Sequence, residues 1–185
     1  MGSRAQEPID YRDLAPSHQV FRCCPMCTSE LHDEVDTVNH RLRPTCPDCG
    51  WIYYPPNTYG SLAVVEHEGG IVLIRPDDCP PEAPAALPGG IAEYAETPED
   101  CAIREVEEET GLEVALTAEL DRFLVVGGLG PMLMFGFVAR VTGGRLRTDG
   151  DEGPAAIHGL DALPSIDPGR RASVRILDAY LASRR

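Results

Sequence analysis

Two apolar runs, Ser61–Glu66 (SLAVVE) and Ile71–Arg75 (IVLIR), lie either side of Gly69-Gly70. Their length, their β-branched content and the glycines between them predict a hairpin. A shorter run at Phe123–Val126 predicts another strand, and Met132–Val141 (MLMFGFVARV) reads as a buried one. The stretch 98–110 follows a different period. Ala102, Ile103, Val106 and Thr110 fall on one helical face and charged residues on another. Thr97 and Pro98 supply a hydroxyl cap and a first-turn proline, and Gly111 supplies a stop. Asp167-Pro168 predicts the start of a terminal helix, with Ala172, Ile176, Leu177, Tyr180 and Leu181 as its apolar stripe. Strands before, between and after helices predict an α/β fold: a mixed sheet with helices on its faces.

The polar face of the first helix carries the candidate chemistry. Glu105, Glu108 and Glu109 stand at i, i+3 and i+4, on one side. Like charges so spaced destabilise an isolated helix by roughly 0.2–0.5 kcal/mol per pair. By itself this reads as a solvated acidic face. Beside the glycines of Leu87-Pro88-Gly89-Gly90, where backbone can approach a ligand closely, and beside Arg104, it reads as a cluster of hard oxygens for Mg²⁺ or Mn²⁺.

Gly90–Leu112 (GIAEYAETPEDCAIREVEEETGL) puts Gly90, Glu96, Arg104, Glu105, Glu108, Glu109 and Gly111 at fixed offsets. This resembles the Nudix box: glycine, five residues, Glu, seven residues, Arg-Glu, apolar, any, Glu-Glu, any, glycine, apolar. The resemblance implies an α/β/α sandwich and metal-dependent hydrolysis of a diphosphate bond in a nucleoside diphosphate linked to another moiety. It implies Glu105, Glu108, Glu109 and the Gly89 carbonyl as ligands of the catalytic metals. It gives Glu96 a part in holding loop to helix, and Arg104 the task of orienting a glutamate. The general base would be Glu109 or a glutamate on a later loop, for which Glu152 is the candidate.

Ahead of this domain, taken as 58–185, lie an irregular segment (1–19), a small cysteine unit (20–57) and a linker at Pro55-Pro56-Asn57. Cys24/Cys27 and Cys46/Cys49 are two CxxC pairs with room between them for a short hairpin. Four such thiolates suit a closed structural Zn²⁺ site, a zinc ribbon. Cys23 lacks the spacing. Trp51, Tyr53 and Tyr54 could stack on bases, but packing the ribbon against the next domain or a second subunit is the preferred reading.

The net charge of -14 argues against non-specific binding to nucleic acid or an anionic membrane. Every basic residue among the 16 is Arg, so a Walker-type phosphate loop and lysine Schiff-base chemistry are excluded. No run reaches membrane-spanning length and no signal-peptide core is evident, so a cytoplasmic protein is expected, as a homodimer. NADH pyrophosphatases resemble the chain in joining a four-cysteine ribbon to a Nudix box. Their Ser-Gln-Pro-Trp-Pro-Phe-Pro stretch is absent, and the region after the box reads VVGGLGPMLMFGFVAR. That ranks ADP-ribose-like or nucleotide-sugar substrates ahead of NADH or NAD, with nucleoside triphosphates as a further alternative. Tyr59, Tyr94 and Phe135 are candidates to stack on the base. The rival of another class is a non-catalytic Nudix-fold nucleotide sensor or regulator.

Overall fold

The computed structural model describes residues 21–35, 42–54, 58–75, 85–127, 130–148 and 154–184. The irregular lead-in, the 55–57 linker and the loop holding Glu152 lie outside them. The chain divides into two compact units, residues 1–57 with 126–131, and residues 58–125 with 132–185.

The first unit holds β1 (His32–Val35) and β2 (Leu42–Thr45), antiparallel with His32 opposite Thr45. Both CxxC segments turn tightly. The Cys24 carbonyl accepts from Thr28 N–H at 2.8 Å, and the Cys46 carbonyl from Gly50 N–H at 3.0 Å. The aromatic residues find partners inside the unit. Phe21 meets Tyr53 edge-on at 5.0 Å, Trp51 stacks with Tyr53 at 6.0 Å, and the Arg43 guanidinium lies 4.4 Å over the Tyr54 ring.

The second unit is built on a six-stranded sheet in the order β6-β7-β3-β4-β8, with β5 also pairing β3. Its strands are β3 (Thr58–His67), β4 (Gly70–Ile74), β5 (Gly89–Ile91), β6 (Leu112–Gly127), β7 (Gly130–Gly144) and β8 (Ala155–Gly159). β3 runs parallel to β7 and antiparallel to β4 and β5, so the sheet is mixed. Helix α1 (Pro98–Thr110) covers one face and α2 (Arg171–Ser183) the other. The period-2 pattern decides which residues go where. Leu62 and Val64 of β3, with Ile71 and Leu73 of β4, pack with Ile176, Leu177 and Tyr180 of α2. Their neighbours Ala63, Val65, Val72 and Ile74 pack with Val106 of α1. Both faces are therefore apolar, and each buried Val, Leu or Ile contributes about 1.5–3 kcal/mol. Among the described residues no helix is long and apolar enough to cross a membrane.

Several boundaries differ from the sequence reading. The β3–β4 turn is Glu68-Gly69, both at positive φ, and Gly70 already pairs with His67. β6 is 16 residues long, far beyond Phe123–Val126. Asp167-Pro168 makes a separate turn, because Asp167 Oδ1 accepts from Gly169 N–H at 2.8 Å, and α2 starts only at Arg171. The glycine loop before the box forms β5.

One close approach fixes the α2 face. A Cβ on Gly136 of β7 would run into Ile176 Cδ1 and stand 2.7 Å from Cγ1. Ile176 is fully buried and β-branched, so it has little freedom to retreat. Gly136→Ala is expected to destabilise by about 1–3 kcal/mol through overpacking. Adding Ile176→Val, which removes the clashing methyl, should return part of that loss; chemical denaturation of both variants checks it.

Candidate active site

Helix α1 starts where local chemistry tells it to. Thr97 Oγ1 accepts from Asp100 N–H at 3.1 Å, Pro98 occupies the first turn, and Glu99 and Asp100 place negative charge at the positive end of the dipole. Gly111, at φ 73°, closes the helix, its N–H donating to the Glu107 carbonyl at 2.9 Å. Two contacts seat the helix start on the sheet. Ser61 Oγ donates to the Pro98 carbonyl at 2.7 Å, and the Tyr59 hydroxyl donates to the Glu96 carbonyl.

Arg104 is the hub of the site. Its Nε donates to Glu96 Oε1 at 2.8 Å and its Nη2 to Glu96 Oε2 at 3.0 Å, a bidentate fork. Its Nη1 donates to Glu105 Oε1 at 2.7 Å and to Glu108 Oε2 at 2.8 Å. Nη2 also reaches the Ile91 carbonyl at 3.2 Å. One guanidinium thus serves three carboxylates and the backbone of β5. Glu109 goes elsewhere: its Oε2 accepts from Gly89 N–H at 2.7 Å. The Glu105 carboxylate lies against Gly90, where a Cβ would stand 2.5 Å from Oε1, so a larger residue there would push that carboxylate aside.

Position sets the ionisation of each group. The Arg104 bonds hold Glu96 below the usual carboxylate range. Glu105 moves the other way. Its burial outweighs the Arg104 contacts, and the negative charges of Glu108 and Glu96 add to the rise. Cys101, fully buried behind them, is pushed up to about 11, first by burial and then by the Glu96 charge. Its thiol faces the Gly90 carbonyl at 3.7 Å, so it fills space as an inert neighbour.

The raised Glu105 carboxyl makes a prediction about stability. A carboxyl raised in the folded state costs stability once pH climbs through its folded value, and costs nothing where it is protonated in both states. In metal-free protein, Glu105→Gln should therefore raise Tm at pH 7. The gain should vanish as pH falls through the carboxyl range, which melting curves in chelator across pH 4–8 would show.

An open cleft of about 520 Å³ is lined by Glu96, Asp100, Ile103, Arg104, Glu107, Glu108 and Arg147. Glu105 and Glu109 face Gly90 and Gly89 instead of this cleft. Another cleft of about 540 Å³, beside His67 and Arg145, contains none of the expected residues. Among the described residues, the four cysteines are the one group of three or more His, Cys, Asp or Glu whose ligand atoms all lie within 4.8 Å of one another. Their sulfurs stand 3.5 Å apart for Cys24–Cys49 and Cys27–Cys46, and 3.6 Å for Cys27–Cys49. A disulfide is about 2.05 Å long, so these are unbonded thiols. A tetrahedral Zn²⁺ with bonds of about 2.3 Å sets sulfurs about 3.8 Å apart, so the cluster is compatible with zinc.

Of the sequence-derived residues, Glu96, Arg104, Glu105 and Glu108 are gathered on one hub, Glu109 is joined to Gly89, and Glu152 lies outside the described residues. Tyr59 ties down the loop through its hydroxyl, Tyr94 is fully exposed beside Glu96, and Phe135 is half-buried on β7. Sequence reasoning missed Ser61 and Arg147. A hydroxyl inside the apolar run SLAVVE was the available signal for Ser61. Arg147 Nη2 caps the Glu107 carbonyl at 2.9 Å across 40 positions, a contact with no local signal.

Residues 56–180 match the family described as NUDIX domain. The chain is 31% identical over 165 residues to NAD-capped RNA hydrolase NudC of Pseudomonas aeruginosa, covering 88% of this chain and 56% of that protein. It is 31% identical over 105 residues to ADP-ribose pyrophosphatase of Methanocaldococcus jannaschii, covering 56% of this chain and 62% of that one. It therefore spans little more than half the length of these relatives. Among solved structures, a NUDIX hydrolase from Nitrosomonas europaea superposes with TM-score 0.74 at 20% identity, over 89% of this chain and 92% of that chain. A UDP-X diphosphatase superposes with TM-score 0.58 at 22% identity, over 72% of this chain and 66% of the other. These two likenesses speak for the fold. With the mixed sheet between two helices, an intact box on α1 and a family match over more than half of its length, the chain belongs to the NUDIX domain family.

Proposed function

We propose that the chain hydrolyses the diphosphate bond of a nucleoside diphosphate linked to another moiety, with ADP-ribose-like molecules or nucleotide sugars as favoured substrates. The observation that carries this is the convergence on α1: Glu96, Glu105 and Glu108 on Arg104, beside Glu109 on Gly89. Hard, anionic oxygens of this kind suit Mg²⁺ or Mn²⁺. Glu105, Glu108, Glu109 and the Gly89 carbonyl would hold the ions. When bound, these would neutralise the diphosphate and acidify the attacking water. Glu109 or Glu152 takes the water's proton, the new P–O bond forms, and the bridging P–O bond breaks to leave two monophosphates. Arg104 orients Glu105 and Glu108 for the ions and does not touch substrate. Glu96 and Tyr59 fix the loop from which Arg104 is held. The cysteine cluster would hold one structural Zn²⁺ with no position open for catalysis.

The relatives' names fit diphosphate hydrolysis and widen the substrate test to NAD-capped RNA, which the acidic charge had ranked low. The test is release of nucleoside monophosphate from ADP-ribose, nucleotide sugars, NADH, nucleoside triphosphates and an NAD-capped oligonucleotide, with Mg²⁺ or Mn²⁺. ADP-ribose or a nucleotide sugar should show the highest kcat/KM. Tight binding of one compound with turnover of none would replace the enzyme by a sensor.

A further inference from the structure

The four side chains on α1 and its preceding loop are held in a way that a rigid metal site would not need. Three carboxylates, Glu96, Glu105 and Glu108, share one guanidinium. The two ends of Arg104 differ in their partners. Nε and Nη2 form the fork on Glu96, which is only 12% exposed. Nη1 alone bridges Glu105 and Glu108, both expected metal ligands, and Glu108 is 53% exposed. Glu109 is occupied on Gly89 N–H, and the three glutamates do not converge as the cysteines do. The charge of Arg104 sits where it relieves the repulsion between Glu105 and Glu108.

We propose that Arg104 is an exchangeable internal cation. Its Nη1 neutralises Glu105 and Glu108 before metal arrives and yields both to the incoming divalent ion. Its Nε and Nη2 stay on Glu96, so the guanidinium pivots on that fork without leaving the site. Arg104 is then a positioning residue with two settings, and it sets the cation concentration at which the site assembles. The idea rests on the reading of Glu105 and Glu108 as metal ligands.

Two measurements test it, neither of them turnover. The first is Mn²⁺ binding to the full chain by electron paramagnetic resonance, in wild type, Arg104→Met and Arg147→Met. Arg147 lines the same cleft, but its guanidinium is bonded to the Glu107 carbonyl and to none of these carboxylates, so it controls for lost charge alone. Arg104→Met should tighten Mn²⁺ about tenfold, and Arg147→Met less than about twofold, since a directly competing charge counts for more than a solvent-screened one. Equal tightening in the two, or none in Arg104→Met, would overturn the proposal. The second is the side-chain ¹⁵N spectrum of Arg104 in wild-type protein, which decides the matter even where Arg104→Met does not fold. Addition of Mg²⁺ should shift the Nη1 resonance and leave Nε in its Glu96-bonded position; an unmoved Nη1 at saturating Mg²⁺ would refute the exchange. If wild type binds no Mn²⁺ at all, the assignment of the glutamates fails, a separate outcome.

Discussion

Glu109→Gln is expected to lower kcat by about 10²- to 10³-fold, equivalent to about 2.7–4 kcal/mol of transition-state stabilisation, and to leave the fold unchanged. The geometry separates the two effects. Glu109 Oε2 accepts from Gly89 N–H at 2.7 Å, and a glutamine carbonyl can accept the same bond, so β5 and the helix keep their relation. What is lost is one negative charge in the set proposed to hold divalent cations, together with a candidate base. Glu108→Gln should fall by a comparable factor, since Glu108 shares Arg104 Nη1 with Glu105 and is more exposed to an incoming ion. Glu99→Gln on the same helix is the matched control, since Glu99 lies in the first turn, where its charge serves the dipole. Initial rates against substrate and Mg²⁺ concentration, with a melting curve for each variant, make the comparison. Near-normal turnover in both Glu108→Gln and Glu109→Gln would reject the site.

Much of α1 was legible because its signals are local. A hydroxyl, a proline and a glycine at its ends, with an apolar face between, act over one or two turns. β4 was legible because a short apolar run bounded by glycine has few other readings. β6 was read too short, although Leu112, Val114, Leu116, Ala118 and Leu120 alternate with Glu113, Thr117, Glu119 and Asp121. The adjacent polar pair Asp121-Arg122 breaks that alternation before Phe123, and pairing with β7 carries the strand across it. The start of α2 was misplaced because Asp167 bonds its own backbone two residues on, a turn that competes with the cap it resembles. The box showed which residues belong to the site but not how they are held. The bonds from Tyr59 to Glu96 and from Ser61 to Pro98 each join positions 37 apart, and nothing in a local window announces them.

Loss of the proposed zinc should undo the cysteine unit and spare the second one. Among the described residues, the buried ones of the first unit are Cys24, Pro44 and Cys46 alone, and every residue of β1 is exposed. Two strands of four residues cannot hold themselves by burial. Structural Zn²⁺ contributes about 10–16 kcal/mol in zinc-finger peptides at pH 7, far more than so small a surface could supply. The second unit has two cores of its own, so its helices and sheet do not depend on that ion. The chain has one tryptophan, Trp51, and it stacks on Tyr53 inside the cysteine unit, so its emission reports this unit and no other. Cys46→Ser, or a strong chelator, should abolish zinc content and shift Trp51 emission to the red. The far-UV circular dichroism of the second unit should persist. Cys23→Ser should keep its zinc, because Cys23 stands outside the four-sulfur group. Acid should imitate the chelator, since thiolates must be deprotonated to bind. A zinc-free Cys46→Ser variant with native Trp51 emission would show that the unit folds without its metal.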